Sequence, residues 1–174
     1  DTVRQTFYSS FNNMVYFDNT NCIDVSGTLA NDNTMYMPRC RVGAAGGIGY
    51  NFTNAESWTL YSPNSEPGTQ IGKGLRVDGS SIGITVINPW FENNDIAIHI
   101  ISGALNTQIL NGRITGNNVG IYDFGTRSNI TGLVSANDDI NISATSSALG
   151  QPDTSTSGNA LSAAWLTAMS AVSP

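Results

Sequence analysis

Charge is scarce in this sequence. Lys, Arg, Asp and Glu together make up 11% of its 174 residues, against about 25% in an average globular domain. The few cations form no basic stripe and the net charge is −6, which excludes nucleic-acid binding led by phosphate contacts. No apolar run approaches the ~20 residues of a membrane-spanning helix. There is one histidine, there are two cysteines, and no CxxC is present, so a zinc site lacks soft ligands. No Asp-x-Asp-x-Asp-Gly calcium loop occurs, and no Gly-rich loop ends in Lys-Ser/Thr. No metal, nucleotide or other cofactor is therefore implied. The first residues carry no secretory leader pattern, and an opening at Asp1 reads as a processed product or an excised segment.

Asn, Ser, Thr and Gly fill the space that charge leaves, and hydrophobic residues still reach 40%. That balance suits an all-β, loop-rich, extracellular protein with one core. Cys22 and Cys40 fit two readings: a disulfide, or a buried pair of thiols stacked on neighbouring coils. The balance of the sequence favours the second.

An internal repeat organises the stretch from Ser81 to Ser143. Asn88-Pro-Trp-Phe-Glu-Asn-Asn-Asp-Ile-Ala-Ile98 aligns with Asn111-Gly-Arg-Ile-Thr-Gly-Asn-Asn-Val-Gly-Ile121 at an offset of 111 − 88 = 23. Phe91 then falls on Ile114, Asn94 on Asn117, Ile96 on Val119 and Ile98 on Ile121. A third, shorter copy runs from Ile130 to Ile142, with Asn137 20 residues beyond Asn117. A further copy is expected near the start, where Asn12-Asn13-Met14-Val15-Tyr16 matches Asn117-Asn118-Val119-Gly120-Ile121.

Each copy holds short runs of period-2 alternation bounded by Asn, Gly or Asp, the sign of half-buried strands between left-handed turns. Ile96, Ile98 and Ile100 alternate with Ala97 and His99; Val119 and Ile121 alternate with Gly120 and Tyr122. A repeat of this length built from such strands matches one coil of a β-solenoid, in which equivalent side chains stack. Two columns follow: Asn94, Asn117 and Asn137 as an amide ladder, and Phe91, Ile114 and Val134 as a core column. An ordinary β-sandwich would not repeat turn and core residues together. From Cys22 to Asp78 the alternation is less regular, and the breaks at 43–49 and 62–68 read as loops bulging from the stack. Residues 144–158 read as a Ser/Thr/Gly-rich linker. In residues 159–174, Leu161, Ala164, Trp165, Ala168 and Met169 follow helical spacing behind Asn159 as N-cap, which predicts a short amphipathic capping helix.

The segments GLRVDGSSIGITVINPWFENN (74–94) and NTQILNGRITGNNVGIY (106–122) resemble the pectin-lyase-like right-handed parallel β-helices, and are most similar in flavour to bacteriophage tailspike and tail-fibre proteins. The resemblance covers residues 1–143. It implies a right-handed, single-stranded parallel β-helix and a homotrimer on a virion surface or in the extracellular space. It further implies binding, and often cleavage, of host surface polysaccharide. Of the polygalacturonase signatures in this fold, only Asp138-Asp139 has a counterpart; the His-Gly and Arg-Ile-Lys elements are absent.

Candidate chemistry lies on the outward columns. Glycoside hydrolysis needs two carboxylates about 5 Å apart for retention or about 6.5–9.5 Å for inversion. Coils stack about 4.8 Å apart, so Asp95 and Asp138, two coils apart, and Glu92 are the candidate catalytic acids. Asp95 is expected to align with Asn118 and Asp138, and Glu92 with Thr115 and Ser135. The competing reading makes these carboxylates solvated turn caps, with Asp123 standing alone. Trp90 over Arg113, and His99 over Tyr122 and Ser143, form two further columns. An outward aromatic beside hydrogen-bonding groups suits a sugar; it also suits a sister subunit. Two alternatives to recognition remain: an active polysaccharide hydrolase or lyase, and a secreted self-assembling filament or adhesin subunit. Asn51, Asn129 and Asn141 open glycosylation sequons, as chance allows in so Asn- and Thr-rich a chain.

Overall fold

A computed structural model describes residues 2–3, 10–27, 32–136 and 139–142. The expected linker 144–158 and capping helix 159–174 lie outside the described residues, as do Asn137, Asp138 and Ser143. The described chain is a parallel β-solenoid with three sheets of seven, six and six strands. The first sheet comprises Thr2–Val3, Asn21–Ser26, Ile48–Thr53, Lys73–Val77, Ile96–Ile100, Val119–Asp123 and Asp139–Ile142. The second comprises Ser10–Asn12, Asn33–Tyr36, Glu56–Tyr61, Ile82–Ile87, Gln108–Leu110 and Asn129–Thr131. The third comprises Val15–Asn19, Arg39–Val42, Asn64–Ser65, Trp90–Glu92, Arg113–Thr115 and Val134–Ala136. Each coil visits the first, second and third sheets in turn, and each strand pairs in parallel with its equivalents in the coils before and after.

The registers confirm the 23-residue offset: Ile96 pairs with Val119, Val86 with Ile109 and Phe91 with Ile114. They correct the third copy. Val134 pairs with Arg113, and Ser135 follows Ile114. Val134 is therefore not in the core column; it is 39% exposed, and Leu133 is buried instead. Likewise Ala136 follows Thr115 where Ser135 was expected, and Asn141 follows Tyr122 where Ser143 was expected. The shortening enters between Asp123 and Asn129: Ile100 pairs with Asp123 at an offset of 23, and Gln108 pairs with Asn129 at an offset of 21. The N-terminal copy also shifts. Val15-Tyr16-Phe17 pairs in the third sheet with Arg39-Cys40-Arg41, whereas Val119–Asp123 belongs to the first sheet.

A two-residue turn joins the second sheet to the third in every coil: Asn13-Met14, Met37-Pro38, Ser62-Pro63, Asn88-Pro89, Asn111-Gly112 and Gly132-Leu133. The first residue of each has positive φ, at 51, 47, 49, 52, 57 and 67° respectively. Only this left-handed step bends the chain sharply enough to start a new face, and Asn or Gly takes it at least cost. The ladder does not break at the bend. Ser62 N donates to Ile87 O at 2.7 Å and Asn88 N to Leu110 O at 2.8 Å, while Trp90 N donates to Pro63 O at 2.9 Å. Proline at the second position loses no ladder bond and its fixed φ holds the corner; Pro38, Pro63 and Pro89 are all buried. Ser62-Pro63, expected to begin a bulging loop, is thus a regular corner.

The core fills the solenoid lumen with Met35, Tyr50, Phe52, Trp58, Leu60, Leu75, Ile84, Phe91, Ile98 and Ile114, each 0% exposed. One lumen column of the first sheet is restricted to small residues: Cys22, Gly49, Gly74, Ala97 and Gly120. Ala97 and Gly120, expected to face outward, are buried there. The third sheet approaches closely at this place. A Cβ on Gly74 would lie 2.6 Å from the Ala97 carbonyl oxygen and 3.0 Å from Phe91 Cγ. In the coil of Cys22 the same gap is crossed by a covalent bond: Cys22 and Cys40 form a disulfide with a Cα–Cα distance of 5.9 Å. The expected pair of free thiols on neighbouring coils is overturned, because the two residues face each other across one coil. Above them the Tyr50 hydroxyl lies 2.6 Å from Pro38 O and 2.8 Å from Asn64 O. Burial pushes this phenol well above its ordinary pKa, and the Asn64 contact opposes the shift.

Candidate functional site

The outward face of the third sheet brings Trp90, Glu92 and Arg113 together. Trp90 and Arg113 are register partners, with Asn64 one coil before and Val134 one coil after. The guanidinium carbon of Arg113 stands 5.5 Å from the Trp90 ring centroid, within the range of a cation–π contact. Trp90 Nε1 donates to Glu92 Oε2 at 2.9 Å, two residues along the same strand face. The indole is thus held from two sides while 46% of the residue remains exposed. Arg39 and Arg41, both exposed, lie on the same face.

The outward face of the first sheet carries a second column: Asp24, Asn51, Arg76, His99 and Tyr122. Its lower part is a closed polar chain. Asn51 Nδ2 donates to Asp24 Oδ1 at 2.9 Å, Arg76 Nη1 to Asn51 Oδ1 at 2.9 Å, and Arg76 Nη2 to Asp78 Oδ2 at 2.8 Å. Asn51 is buried and bonded on both sides, so its sequon does not present a free amide. The upper part is aromatic. His99 meets Tyr122 and Phe124 edge-on at 6.0 and 6.4 Å, and Tyr122 stacks on Phe124 at 6.0 Å. Phe124, 40% exposed, was missed in the sequence; the outward alternation Tyr122-x-Phe124 was the signal. Among the described residues His99 Nδ1 is buried with no hydrogen-bond partner. Burial lowers the pKa of His99, and the nearby charges of Lys73 and Arg76 lower it further.

The candidate acids among the described residues are each engaged by a neighbouring side chain. Asp95 is exposed, and its Oδ1 accepts from Asn118 Nδ2 at 3.0 Å across one coil, which is the expected alignment. Glu92 is committed to the indole of Trp90. Asp138 lies outside the described residues. Asp123 points into the lumen and is 2% exposed; its Oδ1 accepts from Gly125 N at 2.9 Å and Ser128 Oγ at 3.0 Å, a buried turn cap. Among the described residues no group of three or more His, Cys, Asp or Glu side chains could hold a metal ion, and no helix is long and apolar enough to cross a membrane. Comparison with protein-family models, with curated proteins and with solved structures finds no match for this chain.

Proposed function

We propose that this chain is an extracellular or virion-surface β-solenoid that recognises surface polysaccharide, working as a homotrimer. The observation that carries the reading is the Trp90 cluster. An aromatic ring that stays 46% exposed, while a carboxylate and a guanidinium fix its orientation, is organised for a ligand with both apolar and hydroxyl surface. The ring supplies the apolar contact, and Arg113, whose guanidinium lies over the ring, supplies up to five N–H donors beside it. The Cys22–Cys40 disulfide supports an oxidising compartment. Low charge with many hydroxyl and amide side chains agrees with a surface that meets glycans through hydrogen bonds. The exposed Val15 and Phe17 on the same sheet favour a neighbouring subunit beside the sugar.

The test is binding of capsule and O-antigen polysaccharides to the wild-type protein and to Trp90→Ala, read by calorimetry. At least a tenfold weaker affinity is expected in the variant, since an aromatic anchor removed from an interface costs more than 1 kcal/mol. Equal affinity of the two proteins across the panel overturns the assignment to this face. Release of reducing ends, lost in Asp95→Asn, would replace recognition by cleavage. Light scattering should report a discrete trimer; open-ended polymers would place the chain with self-assembling filaments.

A further inference from the structure

The chain enters the second sheet at a corner where five coils stack in one left-handed position: Asp32, Ser57, Gly83, Asn106 and Arg127, with φ of 53, 54, 70, 56 and 57°. Four of these positions project a side chain. Gly83 does not, and a groove of about 320 Å³ opens against it, lined by Asp32, Asn33, Thr34, Ser57, Thr59 and Gly83. Its walls are the outward threonines of adjacent strands, Thr34 and Thr59, which are register partners. Two residues further along the same strands, Tyr36 and Tyr61 stack at 4.9 Å with ring planes 5° apart. They are 40% and 37% exposed and form an apolar ledge beside the polar groove.

The polar groups of this groove contrast with four bonded carboxylates elsewhere on the outward surface. Asp24 is bonded to Asn51, Asp78 to Arg76, Glu92 to Trp90 and Asp95 to Asn118. Among the described residues no hydrogen bond or ion pair engages the side chains of Asp32, Thr34, Ser57 or Thr59. One carboxylate and three hydroxyls therefore converge uncommitted on one concavity. A carboxylate accepts strongly from paired hydroxyls, and the Ser and Thr hydroxyls both donate and accept. The lining holds no cation, and Asp32 repels an anionic ligand. The volume is at the small end of ligand clefts, ~300–1,000 Å³.

We propose that this groove is a second sugar-binding site, taking a neutral segment of roughly one or two pyranose units with its apolar edge toward Tyr36 and Tyr61. The proposal rests on the reading of the chain as a glycan-binding protein and extends it to a different face, away from Trp90.

The test is a ¹⁵N–¹H titration of the protein with short cello-, malto- and chito-oligosaccharides, and with a uronic-acid oligomer as the anionic counterpart. Saturable shifts are expected at the amides of Asp32, Thr34, Ser57, Thr59 and Gly83 with a neutral oligomer. Asp32→Asn should weaken that binding about tenfold, as loss of a charge-assisted hydrogen bond does. Thr59→Arg, which fills the groove, should abolish it, and Trp90→Ala should leave it unchanged. Should Thr59→Arg fail to fold, the Asp32→Asn comparison still decides. Shifts confined to the third sheet overturn this site and leave glycan recognition standing. Shifts only with the uronic-acid oligomer overturn the neutral assignment. A panel with no response on either face overturns both readings.

Discussion

Asn94 and Asn117 stand 23 residues apart in sequence and bind each other directly. The Asn117 side-chain oxygen accepts from the backbone N–H of Asn94 at 2.8 Å and from its carboxamide nitrogen at 3.0 Å. Asn117 Nδ2 then donates to the carbonyls of Phe91 and Thr115 at 3.1 and 3.2 Å. Both residues are buried. The chain of amides continues one coil back, where Ser65 Oγ donates to Asn94 Oδ1 at 3.0 Å. The side-chain bonds thus supplement the backbone ladder at a corner where strands end, where Asn93 N donates to Thr115 O and Asn118 N to Asn94 O, both at 3.2 Å.

Truncating one member should be costly for that reason. Asn117→Ala leaves the buried backbone N–H of Asn94 without its acceptor and takes a donor from Phe91 O, while Asn94 Nδ2 keeps Ser65 O and Glu92 O and Thr115 O keeps the Asn93 N–H. A buried group left unpaired costs about 1–3 kcal/mol. A loss within that range is expected from urea unfolding, while Asn118→Ala, one residue on and exposed, should change stability by less than about 0.5 kcal/mol. Equal effects of the two substitutions would show that the buried ladder contributes nothing particular.

The disulfide closes a loop of sequence separation 18 between two cysteines that are 1% and 2% exposed. Cross-links of that span stabilise by about 3 kcal/mol. The double variant Cys22→Ser, Cys40→Ser should lose at least that much, since it also buries two hydroxyls in the lumen. Cys22→Ala with Cys40→Ala should lose somewhat less. Thermal melts of the three proteins read the order, and a Cys-to-Ala variant as stable as wild type would contradict the account.

Met37 is the poorest match to its corner. It has φ of 47° and is 53% exposed, in a column otherwise filled by Asn, Ser and Gly. An ordinary L-residue in that region costs about 1–2 kcal/mol, and Asn less. Met37→Asn should therefore raise stability by about 0.5 kcal/mol and Met37→Val should lower it by about 1 kcal/mol, because a β-branched side chain tolerates this conformation least. Denaturant midpoints at constant m-value check the pair.

His99 makes stability depend on pH in a defined direction. Its pKa in the folded protein is lowered by burial, with Lys73 and Arg76 adding to the effect, while the unfolded chain keeps a value near 6.5. Folding therefore favours the neutral ring. The stabilisation is fully present above the unfolded pKa and is lost as pH falls through the folded one. Relative to His99→Phe, which keeps an aromatic ring against Tyr122 and Phe124, wild type should lose stability as pH drops from about 7.5 to about 5. Parallel stability curves for the two proteins across that range would remove His99 as the cause.

The 23-residue register, the alternating core residues Phe91, Ile98 and Ile114, and the pairings Trp90 with Arg113 and His99 with Tyr122 were legible in the sequence. In a solenoid, one coil placed on the next makes linear spacing and spatial stacking the same quantity, so a repeat read along the chain predicts contacts between coils. The legibility failed where that identity fails. The third copy has two residues fewer between Asp123 and Asn129 than the copy before has between Ile100 and Gln108, which sets the offset there at 21. Alignment of the sequence alone uses 20 at Val134, and a one-residue slip reverses which face a side chain occupies.

What the sequence determined by itself is the stacking direction: which residues repeat, how far apart, and that Asn, Gly and Pro punctuate them. What only the tertiary structure decided is everything that crosses a coil or joins different faces. The Cys22–Cys40 bond and the small-residue column beside the third sheet both depend on where three sheets meet around one lumen. A periodic sequence fixes the neighbour one coil away, since backbone pairing enforces it. It leaves the neighbour across the lumen to corner geometry, which turn dihedrals and packing set together.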